Sequence, residues 1–191
     1  MEALDPGMPE PLGPAAARPP PYDGSMESPE VIVRRTTESD WEALRVLRLE
    51  TLRDTPIAFG ETLETALAHG ESEWRMRAAR GDSAQNINLA AISGDRWVGT
   101  MGAFVPDAAT GALLVGVYVS PDFRGGAVTD AMLREVEAWA SQRGPTLSLH
   151  VHEKNARARA YYAKRGFAKT GATYRYVLNA QEREIEMRKT L

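Results

Sequence analysis

The chain has 191 residues, of which 43% are hydrophobic, 26% charged and 7% aromatic, with a formal net charge of −3. That balance excludes collagen-like, wholly disordered and disulfide-scaffolded proteins, and the lack of cysteine removes disulfides, thiolate metal sites and a cysteine nucleophile. The mild acidity argues against a polyanion binder as a whole-chain reading. No apolar run approaches the roughly 20 residues that cross a bilayer, and the N-terminus lacks a signal peptide's basic patch and apolar core, so a cytoplasmic location is expected.

Eight of the twelve prolines fall in residues 1–30, among Ala, Gly, Glu, Asp and Ser. Such a stretch buries too little apolar surface to offset its conformational entropy, so residues 1–30 are expected to be a disordered tail and residues 31–191 one folded domain. Within that domain, 31–35 is a short β-rich run. Trp41, Leu44, Leu47 and Leu52 recur at near-helical spacing and predict a helix over 39–53, stopped by Thr55-Pro56. A second helical region spans 61–80 and breaks near Gly70. Residues 88–92 and 97–105 read as strands joined by the turn Ser93-Gly94-Asp95, and 113–119 as a strongly β-prone run. After the loop Ser120-Pro121-Asp122-Phe123-Arg124-Gly125-Gly126 comes a helix with Val128, Met132, Val136 and Trp139 on one face, ended by Gly144-Pro145. A strand at 147–151, a helix at 155–165 stopped by Gly166, and strands at 168–178 and 184–188 complete the chain. A meander followed by a strand-helix-strand crossover predicts an α/β mixed sheet, mostly antiparallel with one parallel pair and helices on both faces.

Two segments carry a resemblance. The first is Val117-Tyr118-Val119-Ser120-Pro121-Asp122-Phe123-Arg124-Gly125-Gly126-Ala127-Val128-Thr129 leading into an amphipathic helix. The second is Asn155, Ala158, Tyr162 and Gly166-Phe167 at fixed spacing. Together with the element order, they resemble the GNAT superfamily of acyl-CoA-dependent N-acetyltransferases and imply its fold. The first segment departs from the family's Arg/Gln-x-x-Gly-x-Gly/Ala pattern, because Ala127 and Thr129 stand where the glycines are usual.

A loop feeding a helix N-terminus offers free N–H groups and the positive end of the helix dipole, which suits two phosphates. The resemblance implies acetyl-CoA as cosubstrate, held by Arg124, Gly125, Gly126, Ala127, Val128 and Thr129; where Thr129 departs from the family's small residue, its hydroxyl is expected to add a hydrogen bond to a phosphate. It further implies a strand splayed from its neighbour at Val117 and Val119, which would supply main-chain groups to the pantetheine and an oxyanion donor. Asn155 caps its helix and, by resemblance, bonds CoA. Tyr162 is the expected general acid, since a neutral phenol can protonate a departing thiolate; Tyr161 is its packing counterpart.

The general base stays open among Glu61, Glu64, Asp107, His150 and His152, or a water chain. His150 and His152 share a strand face, but no metal is expected because only His69 remains as a further His or Cys ligand. Lys154, Arg157, Arg159, Lys164, Arg165 and Lys169 form a basic cluster that suits a CoA phosphate, solvent or RNA. The expected activity is acetyl transfer by direct attack of a primary amine of a small molecule or peptide. A non-catalytic acyl-CoA-binding domain is the alternative. No membrane or nucleic-acid partner is expected, and a homodimer is left open. By resemblance, residues 54–65 and 173–179 would select the acceptor. Trp74 and Phe59 read better as core than as an apolar acceptor pocket.

Overall fold

A computed structural model describes residues 30–106 and 111–191. The Pro-rich stretch 1–29 and residues 107–110, Asp107 among them, lie outside the described residues. Among the described residues, seven strands form one sheet: β1 (Val31–Arg35), β2 (Asn86–Ser93), β3 (Arg96–Phe104), β4 (Ala112–Val119), β5 (Thr146–His152), β6 (Ala168–Tyr176) and β7 (Asn179–Thr190). Their order is β1-β2-β3-β4-β5-β7-β6, and only β4 and β5 run parallel. The mixed sheet expected from the sequence is therefore present.

The helices are α1 (Trp41–Asp54), α2 (Leu63–Ala68), α3 (Glu71–Ala79), α4 (Ala127–Ser141) and α5 (Ala156–Ala163). The predicted first helix begins two residues late because Glu38–Asp40 form a 3-10 turn. Asp40 is fixed there by two hydrogen bonds from the Arg34 guanidinium (2.7 and 2.8 Å) and one from the Thr37 N–H. These donors hold its carboxyl down at about 2. The final strand begins at Asn179, five residues before the predicted start, directly after the turn Val177-Leu178.

The sheet's alternation divides the core. Ile87, Leu89, Met101, Leu147, Leu149 and Val151 pack on one face against Met132, Leu133, Val136 and Trp139 of α4, with Tyr162 and Phe167 nearby. Leu44, Leu47 and Leu52 of α1 and Trp74 of α3 pack with Trp97 and Tyr118 on the other face. The Trp74 and Phe59 side chains both belong to this second core. Among the described residues, no helix is long and apolar enough to cross a membrane.

Candidate active site

The site begins where the parallel pair comes apart. β4 and β5 are paired with each other only from Ala112–Leu147 to Leu114–Leu149; beyond that point each keeps its other neighbour, β3 or β7, and the two separate. At that point β4 has an extra residue relative to β3: Gly102 faces Val115, but Thr100 faces Tyr118. Gly116 takes φ +63° in this bulge, a conformation in which a side chain would be strained. Beyond it, the Ser120 N–H bonds the Val98 carbonyl (2.8 Å). By alternation, the Tyr118 main chain also faces β3, whereas Val117 and Val119 turn theirs toward the open edge.

The following loop is fastened from α1. Glu50 accepts the hydroxyls of Tyr118 (3.1 Å) and Ser120 (2.5 Å). Arg124 donates Nε to the Val119 carbonyl (2.7 Å), pairs with Asp54 through Nη2 and lies over the Tyr118 ring. Its guanidinium thus braces the loop against the end of α1, beyond supplying charge to the cavity. Gly125 has φ +79° and a Cβ there would meet nothing within 4 Å. Gly126 is the N-cap of α4 and offers no side-chain cap, so the amides that open the helix lack protein acceptors within it.

These amides face a cavity of about 420 Å³ between the loop, β4 and α5. Of the expected binding residues, Val117, Val119, Arg124, Gly125, Gly126, Ala127, Thr129, Asn155 and Tyr162 line it. The Val128 side chain does not; it packs against the α4 core, and only its N–H belongs to the helix opening. The Asn155 Oδ1 accepts the Ala158 N–H (3.0 Å), which starts α5 and brings Tyr162 to the cavity wall.

The adjacent tyrosines differ in commitment. The Tyr161 hydroxyl donates to Asp130 (2.9 Å), which Arg165 also binds. Tyr162 is buried between the Tyr161 and Phe167 rings, and its hydroxyl has no partner among the described residues. Burial pushes its phenol pKa up, so it stays protonated. Of the basic cluster, Arg157 and Arg165 line this cavity, while Lys154 pairs with Glu182.

A second cavity of about 980 Å³ lies on the sheet face covered by α1 to α3. Ala58 and Phe59 line both cavities, and β4 passes from the second (Val115, Gly116) to the first (Val117 to Val119) across the bulge. The segment after α1 contributes Ala58 to Thr62 and Thr65, and the β6–β7 turn contributes Leu178.

The candidate bases separate here. Glu61 is gripped by Arg48 (2.9 Å), Arg77 (3.0 and 3.1 Å) and His69 (2.7 Å). Burial pushes its pKa up, but these donors prevail and hold it down at about 2, too low for useful proton abstraction. Glu64 is exposed and lines neither cavity. His152 is buried, with Nε2 on Glu182 (2.9 Å) and Nδ1 accepting the Lys154 N–H (3.2 Å). His150 lines the second cavity, its ring stacked on Tyr174 at 4.3 Å between centroids. Glu184 lines it too. The sequence reading missed Glu184, although its alternation with Glu182 and Glu186 on one strand puts all three on the face shared with His150 and His152. Among the described residues, no group of three or more His, Cys, Asp or Glu could hold a metal ion.

The low pKa of Glu61 has a stability consequence. Its carboxylate contributes fully above the ordinary value of 4.5, and that contribution is lost as pH falls through about 2. In chemical denaturation, Glu61→Gln should be less stable than wild type at pH 7, with the gap closing toward about pH 2. A gap that does not change with pH would show that the ion cluster is not responsible.

The sequence model described as "Acetyltransferase (GNAT) family" matches residues 43–167. The chain belongs to this family of acetyltransferases. No curated protein matches the sequence significantly. Similar solved structures include the PaiA N-acetyltransferase of Thermoplasma acidophilum in complex with coenzyme A, at 19% identity and TM-score 0.69 over 85% of this chain and 99% of that one. The ribosomal-protein-alanine N-acetyltransferase of Brucella melitensis is 23% identical, with TM-score 0.67 over 84% and 99%. YncA of Salmonella typhimurium, a putative acetyltransferase with its cofactor acetyl-CoA, is 15% identical, with TM-score 0.68 over 85% and 94%. At these identities the likeness is one of fold.

Proposed function

We propose that the domain transfers an acetyl group from acetyl-CoA to a primary amine by direct attack. The observation that carries this reading is the meeting of two cavities at the β4 bulge, one bounded by a helix opening and the other by His150 and Glu184. The residues present fit the cosubstrate. The α4 amides suit its diphosphate, the open edge of β4 suits the pantetheine amides, and Gly125 and Gly126 leave room for close approach. Arg124 acts mainly by holding this loop in place, and the Thr129 hydroxyl adds a donor in the first turn of α4.

When bound, acetyl-CoA supplies an activated thioester carbonyl at the mouth between the cavities. A main-chain N–H of Val117 or Val119 donates to its oxygen as negative charge develops. His150 accepts a proton from the attacking amine, directly or through water. As the carbon–nitrogen bond forms and the carbon–sulfur bond breaks, Tyr162 gives its proton to the departing sulfur. Solvent restores the proton to Tyr162 and takes the one from His150.

A released-thiol assay across small amines and peptides tests the reading. Turnover is expected with at least one amine class, and His150→Gln should lower kcat by about tenfold, since water partly replaces a base. CoA binding without thiol release from any amine would favour the binding-only domain instead.

A further inference from the structure

The acceptor cavity has opposite charges at its two ends. Asn88 on β2 faces Gly102 on β3, which faces Val115 on β4. Leu114 faces Leu149 on β5, and His150 follows. Leu89 and Leu149 belong to the α4-side core, so by alternation Asn88 and His150 both point to the α1–α3 side. The cavity therefore runs across the strands, from Asn88 and the adjacent Arg80 at one end to His150 and Glu184 at the other.

Arg48 and Arg77 also line it, but both are engaged by Glu61. Arg80 and Glu184 form no ion pair or side-chain hydrogen bond among the described residues, and the Asn88 amide likewise has no side-chain partner. One end thus holds a guanidinium with no direct ion pair, its nearby carboxylate Glu73 being bonded to Arg77, beside a free amide. The other holds an unneutralised carboxylate beside the proposed base. An ammonium is drawn to the Glu184 end and an anion to the Arg80 end. Two strand spacings separate β4 from β2, which sets the anion roughly 10 Å from a nitrogen at the β4 opening.

We propose that the acceptor is an extended amine with a carboxylate roughly 10 Å from the reacting nitrogen, the reach of about three extended peptide residues, and that Arg80 with Asn88 holds the carboxylate. This rests on the acetyl-transfer reading and assigns its substrate class. A polyamine would place its second ammonium against Arg80 and is disfavoured by the same charge.

The test compares trialanine, its C-terminal amide and spermidine in the released-thiol assay, with CoA titration calorimetry on the same preparations. In wild type, kcat/KM for trialanine should exceed that for the amide by about tenfold, through KM, as expected for one charge-assisted contact in a partly exposed site. In Arg80→Gln the ratio should fall to about one. Equal rates in wild type, a ratio that survives Arg80→Gln, or spermidine as the better acceptor would each overturn the proposal. Thiol release from other amines but from neither peptide overturns this assignment alone. Loss of both CoA binding and thiol release in wild type overturns the acetyl-transfer reading with it.

Discussion

Tyr162→Phe lowers kcat for acetyl transfer by about a hundredfold while leaving acetyl-CoA affinity within a few-fold of wild type. The size follows from the chemistry. A positioned general acid contributes about 10²–10⁴, and a thiol of ordinary pKa near 8.5 is a moderate leaving group even unassisted, which puts the loss at the lower end. The substitution keeps the ring that packs edge-on to Tyr161 and Phe167, so the fold should be retained. The deleted hydroxyl has no protein partner among the described residues to leave unsatisfied. Tyr161→Phe is the matched control. It breaks the bond to Asp130 and should cost about 1 kcal/mol of stability, with little effect on kcat. Equal kcat values for Tyr162→Phe and wild type in a single-turnover assay would remove Tyr162 from the chemistry.

Gly126→Asp produces the second large effect, on binding. Gly126 has φ −95° and ψ −169° at the N-cap of α4, an extended conformation open to any residue, and an added Cβ would meet only the Phe123 carbonyl at 3.8 Å. Asp is also a favoured N-cap, worth a few tenths of a kcal/mol over Gly. The fold should therefore be as stable as wild type or slightly more so. Its carboxylate would occupy the helix opening and face a bound diphosphate. At about 5 Å and an effective dielectric near 20, one pair of like charges costs about 3 kcal/mol, or roughly a hundredfold in Kd. A variant that melts like wild type but binds CoA a hundredfold more weakly ties affinity to the helix opening. Unchanged affinity would place the diphosphate elsewhere.

What was legible in the sequence follows the range of the interactions. α4 carries its apolar face in its own spacing, and Asn155 and Gly166 mark the ends of α5 locally. The strand order required only the meander and one crossover. β7 was read too short because residues 181–183 are all polar, and its pairing with both β5 and β6, rather than apolar alternation, makes it a strand. The bulge at Gly116 left a single glycine as its trace. The bracing of Arg124 by Asp54 joins residues 70 positions apart, so no local pattern announces it. The capture of Glu61 by donors on α1, α3 and the segment between α2 and α3 spans only 8 to 16 positions, but it joins separate elements, so no single helical or strand period announces it. That capture withdrew one base candidate; strand alternation puts His150 and His152 on one face, and burial of His152 against Glu182 leaves only His150 of the two on the second cavity.

The proposed acetyl transfer requires the diphosphate of a CoA thioester to rest on the first amides of α4. Isothermal titration of wild-type protein with CoA tests this most directly. The expected result is saturable binding at one site per chain, competed by acetyl-CoA and weakened in Gly126→Asp. Folded wild-type protein that gives no saturable heat with either CoA or acetyl-CoA would contradict it.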